Sequence, residues 1–250
     1  LRLIIATHCH CDHIGGNRIL QERSGCDIAM HRIGKHFMDT RDDWSTWWRY
    51  YVQEADFFTC STVLGDGEAI RIGPHEFQVI HTAGHSADGI VLYHPGAKIL
   101  LSSDTLWEKD IAVMTLRVEG SGAVFAMLDS LEKIRRLDIR MVYPGHGKPF
   151  ADAKSAIRKA VKRFDQYLSD GSKIGDDLIK KILVYTLMMK PGMEAESFFP
   201  YLTGTPWFVE TVDFYFDRLY RAKYDDVMTR LRRRGIITQE QGRLFTTVKP

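Results

Sequence analysis

A chain of 250 residues, 44% hydrophobic and 26% charged, has room for one large domain or two modest ones and the composition of a globular protein. Its net charge of +2 lacks the imbalance that marks most nucleic-acid binders, and no apolar run nears the roughly 18 residues of a membrane span. Four cysteines, at positions 9, 11, 26 and 60, make no disulfide framework; with no secretory signal at the start, they point to a reducing, cytoplasmic setting.

The opening LRLIIA predicts a buried strand that runs straight into ATHCHCDHIGG, residues 6–16. His8 and His10 are two apart, so on an extended segment they face the same side. Asp12 and His13 follow as the chain turns, and Gly15 and Gly16 let it bend into a short helix over NRILQERSG. Imidazole and carboxylate are donors suited to zinc, iron or manganese. Two donor pairs leaving one turn in different directions suggest two ions. A histidine-rich surface turn is the bland alternative, but this pattern arises by chance roughly once in a thousand such chains. Cys9 and Cys11, on the intervening positions, are expected to be buried space-fillers rather than thiolate ligands or a redox switch.

Further on, Trp44, Trp47, Trp48 and Tyr51 fall at i, i+3, i+4 and i+7, which predicts a helix with an aromatic face. That face is expected to pack as core, with a wall of a substrate mouth as the alternative. Three later apolar runs end in donor residues: EFQVIHTAGHS in His85, AKILLSSDTLW in Asp104, and LDIRMVYPGHG in His146. Loops at strand ends are where a rigid sheet presents catalytic groups. His81 is expected to pack or to support the site rather than to ligate. His31, His36, His75 and His94 have no partner at ligand spacing and receive no role.

After Pro149, ADAKSAIRKAVKRFDQYLSD and IGDDLIKKILVYTLMM predict two helices with a glycine-containing break. KPGMEAESFFPYLTGTP reads as a connection. Two more helices follow, then two short strands around TQEQGR. Arg230, Arg232, Arg233 and Arg234 read as a solvated helix end favoured by the helix dipole, with phosphate contact as the alternative. The expected organisation is a catalytic region over 1–150 and a C-terminal domain over 151–250.

The order His8-x-His10-x-Asp12-His13, then His85 in AGHS, Asp104 in SSDTLW and His146 in PGHG, resembles the metallo-β-lactamase-fold hydrolases, and among them most the glyoxalase II branch. The resemblance covers residues 1 to about 150. It implies an α/β fold, an αββα sandwich, with His8, His10 and His85 on one metal, Asp12, His13 and His146 on a second, and Asp104 bridging the two. Ala83 stands where that family often has proline, and Ser103 where glycine usually precedes the aspartate; both bear on the hydrogen bonds around the ligands. In that family the histidine cluster follows a complete N-terminal sheet, so the N-terminal part is expected to be missing here, with further residues ahead of Leu1 in the natural polypeptide. The tail resembles a winged-helix module with its hairpin near Gln241 and Gly242. Relatives with such a tail include thioester hydrolases and an endoribonuclease branch.

The function expected is a dinuclear metal-dependent hydrolase holding two divalent ions, zinc before iron or manganese. A metal-bridging hydroxide would attack a small-molecule thioester or carboxylic ester, with Asp12 orienting it or taking its proton. The first alternative is a metal-dependent ribonuclease whose tail grips nucleic acid. A mononuclear iron sulfur dioxygenase is a second, opposed by the complete second donor set of Asp12, His13 and His146. A non-catalytic ligand sensor is a third, opposed by the absence of any lost ligand. No membrane partner is expected, and the oligomeric state is left open.

Overall fold

The first apolar run forms β1 (Leu3–Ile5), the outer strand of a parallel three-stranded sheet. The chain then makes α1 (Cys11–Ile14) and α2 (Asn17–Ser24), returns through β2 (Asp27–His31), and continues into α3 (Arg32–Thr40) and α4 (Trp48–Tyr51). The third strand, β3 (Thr62–Leu64), lies beyond β2, giving the order β1-β2-β3. The structure, a computed structural model, describes residues 1–249. It divides into two compact units, one of residues 1–49 and 53–165, the other of 50–52 and 166 onward.

A second sheet of the first unit runs in the order β4 (Ala69–Ile72), β5 (His75–His81), β6 (Ile90–His94), β7 (Ile99–Ser103) and β8 (Met141–Pro144). Its first four strands pair antiparallel, as short loops allow. β7 and β8 are parallel, and the crossover that parallel pairing needs carries α5 (Leu116–Glu119) and α6 (Ala123–Arg135). Ala29 and Leu64 of the first sheet pack with Val79, Ile90 and Leu92 of the second, with Leu3, Ile5, Ile70, Phe77 and Leu101 around them. The two sheets therefore share one apolar layer. The fold is mixed α/β, as expected. β6 is apolar on both faces because both are covered. β1, expected to be buried, is only half-buried, because as an edge strand it has a neighbour on one side alone.

The aromatic stretch also departs from expectation. Only Trp48–Tyr51 is helical, because Trp47 takes φ +73°, a left-handed conformation that no helix tolerates. Trp47, Trp48, Tyr50 and Tyr51 are all buried, so their spacing does not mark the one-sided burial of a surface helix.

α7 (Ala153–Ser169) follows β8, and the second unit contains α8 (Ser172–Met189), β9 (Met193–Glu194), α9 (Ala195–Thr203), α10 (Pro206–Tyr215), α11 (Tyr220–Arg233), β10 (Ile237–Glu240) and β11 (Arg243–Thr246). α9 occupies the segment expected to be a connection. Pro200 inside it weakens its helical pattern, but Phe198 and Leu202, four apart on one face, are fully buried and supply the packing that propensity lacks. β10 and β11 pair from Ile237↔Thr246 to Glu240↔Arg243. Gln241 (φ +48°) and Gly242 (φ +82°) close that hairpin, both left-handed as a two-residue type I′ turn requires. Arg230 is committed within this unit: it bonds both carboxylate oxygens of Asp176 (2.9 and 2.5 Å) and Asp226 (2.9 Å). Arg232 donates to Gln239 (2.9 Å), and the Arg233 and Arg234 side chains are exposed. Among the described residues no helix is long and apolar enough to cross a membrane.

Candidate metal centre

The His cluster is carried where β1 leaves its sheet. Ala6 N–H bonds to Ala29 O, and the Ile90 N–H bonds to Thr7 O, so the segment is pinned to a strand of each sheet. It stays extended as far as His10 (φ −74°, ψ 146°), which caps α1, and α1 presents Asp12 and His13. His85 follows β5 through Gly84, Asp104 follows β7, and His146 follows β8. Gly84 is required twice over. Its φ is +134°, and a Cβ there would sit 2.6–2.7 Å from Met127 backbone atoms.

All seven sequence-predicted residues meet. Three sets have donor atoms within 4.8 Å of one another: His8, His10 and His85; His8, His13 and Asp104; Asp12, His13 and His146. Asp104 Oδ2 lies 3.3 Å from His85 Nε2, 3.4 Å from His13 Nε2 and 3.6 Å from His146 Nε2. Asp12 Oδ2 lies 3.3 Å from His146 Nε2 and 3.8 Å from His13 Nε2.

These residues fit a pair of cations. The Nε2 atoms of His8, His10, His13 and His85 are buried without a hydrogen-bond partner, a costly arrangement for a purely structural cluster. Burial, followed by neighbouring imidazoles, holds His8 and His10 well below the usual imidazole value, so both are neutral. Burial opposes the charge on Asp104, but the adjacent His13 and His85 outweigh it and keep the carboxyl well below its usual range. Asp12 is likewise lowered, since His146 and His13 overcome the effect of burial. His146 is raised by Asp12 beside it. Neutral His8 and His10 beside ionised Asp12 and Asp104 are in the protonation states that a metal requires.

Outer contacts aim the donors. His85 Nδ1 donates to the Val113 carbonyl (2.7 Å), which leaves Nε2 as the free lone pair facing the centre. His8 Nδ1 lies 3.2 Å from Thr7 Oγ1 and 3.3 Å from Ser103 Oγ, and those two hydroxyls are 2.8 Å apart. Ser103 sits at φ +45°, so it holds the left-handed backbone that glycine would take easily and adds a hydroxyl to it. The Ala83 carbonyl accepts from Ser130 Oγ (2.7 Å).

Sequence reasoning did not single out Val113, Glu119 or Trp107 for the site. Val113 acts through a backbone carbonyl, which no motif records. Trp107 donates to Asp104 Oδ1 (3.3 Å), and its ring lies 5.2 Å from that of His146. Trp47, placed in the aromatic stretch, lies with its ring 3.8 Å from the His10 ring and 5.0 Å from that of His85. Core packing and lining the centre are one role here. His81 stacks on His31 (4.2 Å, 9°) and contacts the Ala87 carbonyl at 2.9 Å, outside all three donor sets. Cys9 is buried against the Gly34 carbonyl, and burial pushes its thiol well up. All four cysteines are buried thiols outside any disulfide.

A family model, the metallo-beta-lactamase superfamily, matches residues 1–146. A hydroxyacylglutathione hydrolase from Brucella ovis is 31% identical over 158 residues, which cover 63% of this chain and 52% of that protein. Another, from Chelativorans, is 28% identical over 162 residues, covering 62% and 52%. The chain spans about half the length of the curated relatives it matches. The crystal structure of a metallo-beta-lactamase family protein from Thermus thermophilus is similar in fold, with a TM-score of 0.58 at 21% identity over 98% of this chain and 80% of that one. The family match takes in every one of the seven converging residues, and the chain belongs to the metallo-beta-lactamase superfamily.

Proposed function

We propose that this chain is a dinuclear metal-dependent hydrolase acting on a thioester or other carboxylic ester. One observation carries the reading. A single oxygen of Asp104 lies within 3.3–3.6 Å of His85, from one donor set, and of His13 and His146, from another. His8, His10 and His85 would hold one divalent ion, Asp12, His13 and His146 the second, and Asp104 both. When bound, such ions supply Lewis acidity toward an acyl oxygen and acidify water near pH 7. The donor set suits zinc, with iron or manganese as alternatives.

The chain's own residues do the rest. Asp12 keeps more solvent exposure than Asp104 (28% against 6% of the side chain), so its carboxylate can orient an incoming water and accept its proton at Oδ2. His146, with 41% of its side chain exposed, lies beside it, its Nε2 3.3 Å from Asp12 Oδ2. His8, His10 and His85 lie deeper and exclude water on their side. The hydroxyacylglutathione hydrolases among the relatives support a thioester substrate. Four buried thiols outside any disulfide support a reducing, cytoplasmic setting.

The deciding experiment measures metal per chain by elemental analysis, then turnover of a hydroxyacylglutathione thioester and of single-stranded RNA. Two equivalents of metal with thioester turnover are expected, and the D104A variant loses both. Arg230 is spent on Asp176 and Asp226, which takes one of the four tail arginines out of phosphate contact, and RNA is expected to stay uncut. RNA cleavage with steeply salt-dependent binding would move the substrate to nucleic acid. One equivalent of iron and no hydrolysis would replace the hydrolase with an oxygenase.

A further inference from the structure

Trp47 is in an unusual position for a large side chain. It is buried at 3% exposure and held at φ +73°, a backbone region bulky residues avoid. Its surroundings explain why it stays. The backbone N–H closes a turn onto Trp44 O (2.9 Å), and the indole N–H donates to Glu119 Oε1 (2.7 Å), 72 residues away. Glu119, the last residue of α5, also faces the backbone of Ala87, two residues beyond His85. One carboxyl group thus ties the tryptophan to the turn that carries a donor histidine.

The other face of the indole meets the centre. Its ring is 3.8 Å from the His10 ring at a 36° tilt, and 5.0 Å from His85 at 70°. His85 has a carbonyl to set its rotation, and His8 has two hydroxyls. For His10, the flat surface of Trp47 at 3.8 Å, with the edge-on rings of His8 and His85 at 4.5 Å each, limits how its ring can turn. A strained residue at a functional site persists only when its surroundings over-determine it.

We propose that Trp47, anchored by Glu119, is a positioning residue that sets the imidazole planes of His10 and His85 and so tunes metal affinity at the three-histidine site. This rests on the metal-centre reading above. Burial pushes the Glu119 carboxyl up to about 8, which makes it neutral near pH 7 and Gln a close mimic of it. Leucine at 119 instead removes the acceptor and frees the indole.

The test is zinc affinity by chelator competition on the full chain, for the wild type and the variants E119L, E119Q and W47F, with folding followed by circular dichroism. E119L is expected to weaken the tighter zinc about 10- to 100-fold, the range typical for partners that orient ligands. E119Q is expected to restore affinity to within a few-fold of the wild type, a rescue that a merely space-filling role would not produce. Should E119L fail to fold, W47F decides, since it keeps an aromatic ring and loses the N–H; a several-fold loss is expected. Folded E119L or W47F binding zinc as the wild type does would overturn the positioning role and leave the dinuclear reading standing. A wild-type chain that binds no zinc, iron or manganese would overturn both.

Discussion

The indole N–H of Trp107 reaches Asp104 Oδ1 at 3.3 Å, while Oδ2 of the same carboxylate lies between His13, His85 and His146. The two oxygens have separate duties: one is anchored, the other is presented. Removing the anchor should let the carboxylate rotate without removing a donor. W107F is therefore expected to retain its fold and to lose about tenfold in thioester turnover or in affinity for the second ion. Titration of metal per chain alongside turnover reads it, and wild-type values for both would dismiss the anchor.

Buried donor atoms with no partner make the metal-free centre a weak point of the first unit. Added zinc should raise the thermal midpoint. At about 100 times the dissociation constant the gain is about 2.7 kcal/mol, or about 5–10 °C for a chain this size. Differential scanning calorimetry with and without chelator measures it. An H8A/H10A double variant should show little of the shift.

Ser103 separates backbone strain from side-chain orientation. Its φ of +45° costs any residue but glycine, while its hydroxyl serves His8 and Thr7. S103G and S103A both lose the hydroxyl, so both should bind zinc more weakly. Only S103G relieves the backbone, and zinc-free it should be about 1 kcal/mol more stable than S103A in urea unfolding. Equal stability would mean that the backbone there is not strained.

Gly84 admits no side chain. A methyl group would meet Met127 backbone and Cβ atoms at 2.6–2.7 Å in a conformation already unfavourable for alanine. G84A should cost about 2–4 kcal/mol in denaturant unfolding and displace His85 next to it. A stable G84A with normal zinc binding would show that this turn can move.

Acid sensitivity should come partly from outside the centre. His31 is buried and stacked on His81; burial first, then His81 and Arg32, pushes it down to about 4. Its folded value lies below its unfolded one, so it contributes stability that is complete above about 6.5 and is lost as the pH falls toward 4. The loss is on the order of 2–3 kcal/mol. H31N keeps a capping acceptor for the Ile33 N–H, and its urea midpoint should fall less than that of the wild type between about pH 7.5 and 5. Parallel declines would assign the acid loss to the other histidines.

The chain's own order of residues determined a good deal. The mixed α/β character, the strand–turn sites of His85, Asp104 and His146, and the paired histidines around Asp12 are all local: apolar runs, glycine turns and donor spacing act over a few residues. What lay beyond that reading depends on distance along the chain. The left-handed backbone of Trp47 breaks the stretch read as one helix, and its indole is fixed by Glu119, 72 residues on, a partner that no local pattern records. The helix through Pro200 exists because Phe198 and Leu202 are buried by elements elsewhere in their unit, which local propensity cannot register. Arg230 lost its freedom to Asp176, 54 residues earlier. Donor identity is written in short motifs because it needs only residue type and spacing. Donor orientation, and which charges are spent, is decided by partners that only the folded chain brings within a few ångströms.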